Sequence, residues 1–308
     1  MNLIPIPNTR SRLGESPFWH PDEQVLYWVD IPGRAIRRLD DTGRVSSWAM
    51  PSEPGCIAPT RDGRLIVALR DGAYCFSPID VHLELLAPAP YDTTRFRFND
   101  GRCDPAGRFF AGTLSEARRQ PDAQLYVLLP GRSQADQHAS SQNWHWQARA
   151  GGVMTANGLA FSPDARHAWW ADTRAHRIDR FDYDINTGQL SNRQLFCQFD
   201  ARAGADDPAA YGGRPDGAAV DEEGAYWCAM YEGARVLRIL PDGRIDRQIT
   251  LPARCPTMVC LGGADRRTLY VTTAREGRAP GELSEEPNAG SVFRVRVDVP
   301  GLAVNFFG

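Results

Sequence analysis

The chain has 308 residues, 42% of them hydrophobic, and a formal net charge of −3 at pH 7. That charge gives no electrostatic case for nucleic acid or an anionic membrane surface, no apolar run approaches the roughly 18 residues of a membrane span, and the start, M-N-L-I-P-I-P-N-T-R-S-R, lacks the apolar core of a secretory signal. The seven cysteines are odd in number and contain no C-x-x-C, so they read as buried free thiols of a reducing compartment, and the expected location is the cytoplasm.

In chain order, one pattern returns six times: a turn rich in Asp, Pro and Gly, then a short apolar or aromatic strand. The strands are Leu26 to Asp30, Leu65 to Leu69, Phe109 to Thr113, Ala168 to Asp172, Ala225 to Ala229 and Leu269 to Thr273. Their spacing of about 39 to 59 residues is that of a four-stranded propeller blade. The expected fold is all-β, a six-bladed β-propeller, with residues 1–308 forming one domain because blades bury their faces against one another. Each blade is read as an inner strand, a turn, the central strand above and an outer strand. The outer strands expected are Ala35 to Leu39, Ala73 to Phe76, Gln124 to Leu128, Arg177 to Phe181, Arg235 to Ile239 and Ser291 to Val295.

Residues 130–150 read as a polar surface loop before a Trp-rich strand, residues 201–214 as a loop entering the fifth blade, and residues 274–289 as a loop in the sixth. The sixth blade has central and outer strands near the C-terminus, followed by L-A-V-N-F-F, so the two chain ends are expected to meet in one blade.

Chemistry is expected where the inner strands open onto the axis. G-E-S-P-F-W carries Glu15, R-F-N-D-G-R carries Arg97, Asn99 and Asp100, T-A-N-G-L-A-F carries Asn157, and R-P-D-G-A-A-V carries Asp216. The second and sixth blades offer C-I-A-P-T and C-P-T-M-V-C, with no carboxylate. Taken singly, Asn157-Gly158 and Asp216-Gly217 read as turns and Glu15 as a solvated loop carboxylate. Their shared register in different repeats argues instead that Glu15, Asn99, Asn157 and Asp216 converge in the axial channel. Two carboxylates and two amide oxygens suit a hard divalent cation.

These fragments resemble the gluconolactonase/regucalcin (senescence marker protein) family. The likeness lies in G-E-S-P-F-W, R-F-N-D-G-R-C-D-P-A-G-R-F-F-A-G-T, N-G-L-A-F-S-P-D, F-D-Y-D-I-N-T-G-Q-L-S-N-R and P-D-G-A-A-V-D-E-E-G-A-Y-W, in order from about Arg12 to the C-terminus. The resemblance implies a six-bladed propeller with one divalent metal in the channel and hydrolysis of sugar lactones such as gluconolactone. It implies Glu15, Asn157 and Asp216 as metal ligands, with Ca²⁺ the first expectation and Zn²⁺, Mn²⁺, Mg²⁺ and Fe²⁺ the others. It implies Arg97 and Asn99 as substrate contacts. A family glutamate for the substrate falls on Ala117, with Glu116 one place early, and a one-residue shift turns a strand side chain to the other face.

The expected chemistry is metal-assisted lactone opening, with Asp216 as general base. There is no G-x-S-x-G elbow, and the six histidines, placed in turns or outer segments, include no H-x-x-x-H pair. Two rivals stand beside it: a metal-dependent esterase or phosphotriesterase on the same scaffold, and a non-catalytic calcium-binding propeller. The expected partner is a small-molecule sugar lactone, without nucleic acid or membrane, in a monomer or weak homo-oligomer.

Overall fold

The structure, a computed structural model, describes residues 3–117, 119–131, 143–202 and 211–308. Its repeating unit begins at the Asp-Gly turn. Asp104 Oδ1 accepts the backbone N–H of Ala106 and Arg108 at 3.0 and 2.8 Å, and Gly107 closes the turn at φ 84°. Only glycine adopts that conformation without steric cost. Asp221 repeats the arrangement with Glu223 and Ala225 at 3.0 and 2.9 Å. Each such turn folds an inner strand back on a central one.

The strands follow in chain order. β1 (Ile4–Pro5) precedes the first blade: β2 (Gly14–His20), β3 (Val25–Asp30), β4 (Ala35–Leu39) and β5 (Val45–Ala49). The second is β6 (Pro54–Pro59), β7 (Leu65–Leu69), β8 (Gly72–Ser77) and β9 (His82–Pro88). The third is β10 (Phe96–Cys103), β11 (Phe109–Ser115), β12 (Ala123–Pro130) and β13 (Trp144–Val153). The fourth is β14 (Ala156–Phe161), β15 (His167–Asp172), β16 (Arg177–Asp184) and β17 (Gln189–Gln198). The fifth is β18 (Arg214–Val220), β19 (Tyr226–Tyr231), β20 (Arg235–Ile239) and β21 (Ile245–Thr250). The sixth takes β22 (Pro256–Gly262), β23 (Thr268–Thr273) and, after the short helix α1 (Pro280–Glu285), β24 (Phe293–Arg296).

These strands form six four-stranded antiparallel sheets, a six-bladed β-propeller. The ring closes in the sixth blade, where β1 from the N-terminus pairs with β24 in the order β1-β24-β23-β22, but the C-terminal end does not meet it there. The C-terminal L-A-V-N-F-F adds no strand to that blade. It leaves the sixth blade and crosses the end of the channel, where Phe307 bridges Thr60 in parallel.

The central strands are buried along their whole length or nearly so, because each blade is pressed between two neighbours. Trp28, Trp170 and Trp227 stand among the largest fully buried side chains. Between the second and third blades, Ile66 and Ala68 meet Phe98 and Phe109. Six of the seven cysteines are buried and all seven are free thiols.

Four expectations are corrected. The strands read as outer are third in their sheets, and a fourth lies outside them: β5, β9, β13, β17, β21 or β1. Most of these fourth strands face solvent, as in Q-L-S-N-R-Q-L-F-C-Q, and their apolar alternation is weak. The 274–289 loop contains α1, started by a proline in its first turn, and the 130–150 segment is strand β13 from Trp144 onward. His20 and His167 are in neither turns nor outer segments: His20 ends inner strand β2 and is buried, and His167 begins central strand β15. The loop expectations at 132–142 and 203–210, and His138, lie outside the described residues. No helix among the described residues is long and apolar enough to cross a membrane.

Candidate functional site at the channel axis

The innermost strands β2, β6, β10, β14, β18 and β22 contact one another in sequence around the axis. Every one of them carries an irregularity near its start. The register slips between Glu15 and Phe18, Pro54 and Cys56, Phe98 and Gly101, Asn157 and Ala160, Pro215 and Ala218, and Pro256 and Met258. A bulge adds one residue and re-aims side chains. In the first, third, fourth and fifth blades the slip falls at Glu15, Asn99 with Asp100, Asn157, and Asp216. The shared register read from the sequence is therefore a shared bulge at two adjacent positions: Glu15 and Asn157 are the last paired residues before it, Asn99 and Asp216 the first within it.

The turn readings fail on this geometry. Asn157-Gly158 lies inside β14 and Asp216-Gly217 inside β18. Gly158 takes φ 59°, and a Cβ on it would overlap Tyr226 Oη and stand 2.8 Å from Asp216 O. Gly217 faces the Met258 side chain with no room for a Cβ. Ser16 sits at φ 48° in the bulge after Glu15. Glycine at 158 and 217 thus lets β14 pack closely on β18 and β18 on β22.

The side chains are buried: Glu15, Arg97 and Asn99 are each 6% exposed, Asp216 5%, Asp100 4% and Asn157 2%. A directional chain of hydrogen bonds joins four residues. Arg97 Nη1 donates to Asn99 Oδ1 (2.9 Å), Asn99 Nδ2 to Asn157 Oδ1 (2.8 Å), and Asn157 Nδ2 to Thr173 Oγ1 (2.7 Å). Asn99 Nδ2 also reaches Ala156 O at 3.0 Å. Each amide's orientation follows from its neighbours, so Asn157 turns its oxygen toward Asn99 and its NH₂ toward Thr173. Sequence reading missed Thr173, which is buried one residue past β15. Its position after A-W-W-A-D gave no signal without a fold to place it.

The Glu15 and Asp100 carboxylates are only partly compensated. Glu15 Oε2 and Asp100 Oδ1 are buried without a hydrogen-bond partner. Burial, and then repulsion from Asp216 and Asp100, hold the Glu15 carboxyl well above its ordinary range, against the Ser16 N–H and Arg97. Asp100 is also raised by burial, partly countered by Arg102 and by the Leu159 N–H at 3.1 Å. Mutually repelling buried carboxylates are stabilised by a cation between them. Among the described residues no three His, Cys, Asp or Glu side chains form a metal cluster by themselves. The donor set that fits a hard cation is therefore mixed, with Glu15 and Asp216 supplying charge and Asn157 an amide oxygen.

Glu116 stands apart at the rim. It follows β11, its side chain is 44% exposed, and its carboxylate accepts from Arg70 Nη2 at 2.6 Å. Arg70 also pairs with Glu53 at 2.9 Å.

Fold and donor set define a six-bladed propeller whose axis gathers oxygen donors from four blades. Residues 13–275 match the model of the SMP-30/Gluconolactonase/LRE-like region, and the chain belongs to that family. It is 46% identical over 301 residues to a protein of Pseudomonas putida called 6-deoxy-6-sulfogluconolactonase, covering 96% of this chain and 95% of that one. It is 33% identical over 293 residues to regucalcin of Gallus gallus, covering 93% and 91%. A solved calcium-binding protein, regucalcin from Agrobacterium tumefaciens, superposes with a TM-score of 0.87 over 99% of this chain and 96% of that one at 24% identity, a likeness of fold.

Proposed function

We propose that the protein is a divalent-metal-dependent lactonase that opens sugar lactones to aldonic acids, with Glu15, Asn157 and Asp216 holding the cation. The observation that carries this reading is that Glu15, Asn99, Asn157 and Asp216 stand buried at the bulges of four inner strands, with Glu15 Oε2 left without a hydrogen-bond partner. The lactonase and regucalcin relatives point the same way. Ca²⁺ is the first candidate, because oxygen-only donors with two carboxylates suit it.

When bound, the cation supplies a Lewis acid that polarises the lactone carbonyl and stabilises the developing oxyanion. The chain's own residues do the rest. Asp216 accepts the proton of the water that attacks the carbonyl carbon, and returns it to the ring oxygen as the C–O bond breaks. Asn99, its amide fixed by Arg97 and Asn157, presents the second lone pair of its oxygen to a substrate hydroxyl. Arg97 orients the polyol from the same side and faces developing negative charge. Glu116, held by Arg70 at the rim, bounds the entrance for the far end of the sugar.

The test is acid release from a panel of sugar lactones, run on metal-stripped protein with Ca²⁺, Mg²⁺, Mn²⁺, Zn²⁺ or Fe²⁺ restored. Turnover of aldonolactones only with a restored cation is expected. Turnover of aryl esters or phosphotriesters without any sugar lactone would transfer the site to an esterase.

A further inference from the structure

Below the oxygen donors the axial channel changes character. A cavity of about 320 Å³ lies there, walled by inner strands of the six blades. Its lining includes Phe18, Ile57, Phe161, Val220 and Leu261. None of Glu15, Asn99, Asn157 and Asp216 lines it. The C-terminal tail closes its lower end. Leu302 N donates to Val220 O at 3.3 Å, Phe307 N to Pro59 O at 2.8 Å and Gly308 N to Gly107 O at 3.1 Å. Asn305 Nδ2 donates to Cys103 O at 3.1 Å.

One charged residue lines this chamber, Arg102. It leaves β10 of the third blade and reaches across the axis to β18 of the fifth, where Nη2 donates to Ala218 O. Its field reaches Asp100, Cys56, Tyr226 and Cys260, groups on four different blades. The guanidinium therefore sits at the axis, between the oxygen donors above and the apolar chamber below. Of the five N–H donors that a guanidinium carries, one has a protein acceptor among the described residues. Nε is buried without a partner, and Arg102 joins no ion pair among the described residues. The side chain is half-buried, and Asp100 is the carboxyl whose charge it offsets from a distance. Arg238 of the fifth blade, by contrast, meets Asp221, Glu223 and Asp246, at 2.8, 2.7 and 2.8 Å.

We propose that this chamber is a second ligand site, for one small aliphatic monocarboxylate. A single guanidinium selects a single anionic group, and its planar fork matches a carboxylate. The walls are mainly apolar, with Ser16, Ser162 and Asn305 among them, and they favour an aliphatic body over a polyol, which separates this ligand from a sugar lactone and from its aldonate product. The volume lies at the lower end of the roughly 300–1,000 Å³ of ligand sites, which limits the body to a short chain. The tail seals the ligand from below.

Calorimetric titration of the full chain with sodium hexanoate, with and without Ca²⁺, tests this independently of lactone turnover. Saturable binding of one hexanoate per chain is expected, with 1-hexanol and acetate each at least about tenfold weaker. Arg102→Met weakens hexanoate at least about tenfold, the order of one lost charge-assisted pair. Arg102→Lys keeps the charge and keeps binding; should the Met variant not fold, the Lys variant and the hexanoate–hexanol comparison decide. Absence of saturable binding, equal binding of hexanoate and hexanol, or unchanged binding by folded Arg102→Met overturns the proposal. Displacement of hexanoate by chloride or acetate at equal concentration also overturns it, by reducing the site to an adventitious anion position.

Discussion

Replacing Thr173 by valine keeps the side chain's shape and removes the acceptor that holds the Asn157 NH₂. Thr173 Oγ1 accepts Asn157 Nδ2 at 2.7 Å, and both residues are buried, Thr173 6% and Asn157 2% exposed. Without the hydroxyl the amide has two options. It can leave a buried N–H unsatisfied, at about 1–3 kcal/mol, or flip and turn its NH₂ toward Asn99 Nδ2. The flip sets donor against donor where the present contact is 2.8 Å, and it withdraws the oxygen from the cation. Either option lowers divalent-cation affinity by about 10–100-fold, the usual effect of losing a group that orients a metal ligand. Thr173→Ser restores the acceptor and should bind within a few-fold of wild type. Calorimetric titration of Ca²⁺ into metal-stripped protein reads the effect directly, with thermal unfolding of the stripped forms as the folding control. Wild-type affinity in a folded Thr173→Val variant would refute the positioning argument.

Asp216→Ala should abolish turnover and weaken cation binding. Asp216→Asn keeps an oxygen without basicity, so it should retain part of the metal but lose about 10²–10⁴-fold in kcat; full activity at saturating metal would remove the general-base role. Asn99→Ala should lower kcat/KM for aldonolactones by at least about tenfold, the order of one polar contact of roughly 1.5 kcal/mol, and affect a simple aryl ester much less; equal losses on both would assign Asn99 to the metal or the transition state. Gly158→Ala introduces a Cβ 2.8 Å from Asp216 O at φ 59°, so urea unfolding should show a loss of about 1–3 kcal/mol. Unchanged stability there would contradict the close approach of β14 and β18.

The ring was legible because each Asp-Gly turn announces itself by composition and each central strand is a wholly buried apolar run. Closure was legible from the incomplete last blade, though not its agent: I-P at Ile4–Pro5 is too short to read as a strand alone, and it pairs only because β24 offers an edge. The outermost strands escaped, since one face in solvent leaves little alternation to find, as in I-D-R-Q-I-T. At the axis, Glu15, Asn99, Asn157 and Asp216 could be aligned by register. What the register could not give was the bulge that aims them. Thr173 and Arg102 act by reaching into the space of other residues, a relation that spacing along the chain does not encode.

The central claim is that Glu15, Asn157 and Asp216 hold one divalent cation on the propeller axis. Crystals of the protein soaked in Mn²⁺ and measured by anomalous scattering test it most directly. The account predicts one strong anomalous peak among those three side chains, lost in crystals of the Asp216→Ala variant. A peak elsewhere in the molecule, or none at an occupied concentration of Mn²⁺, would contradict it.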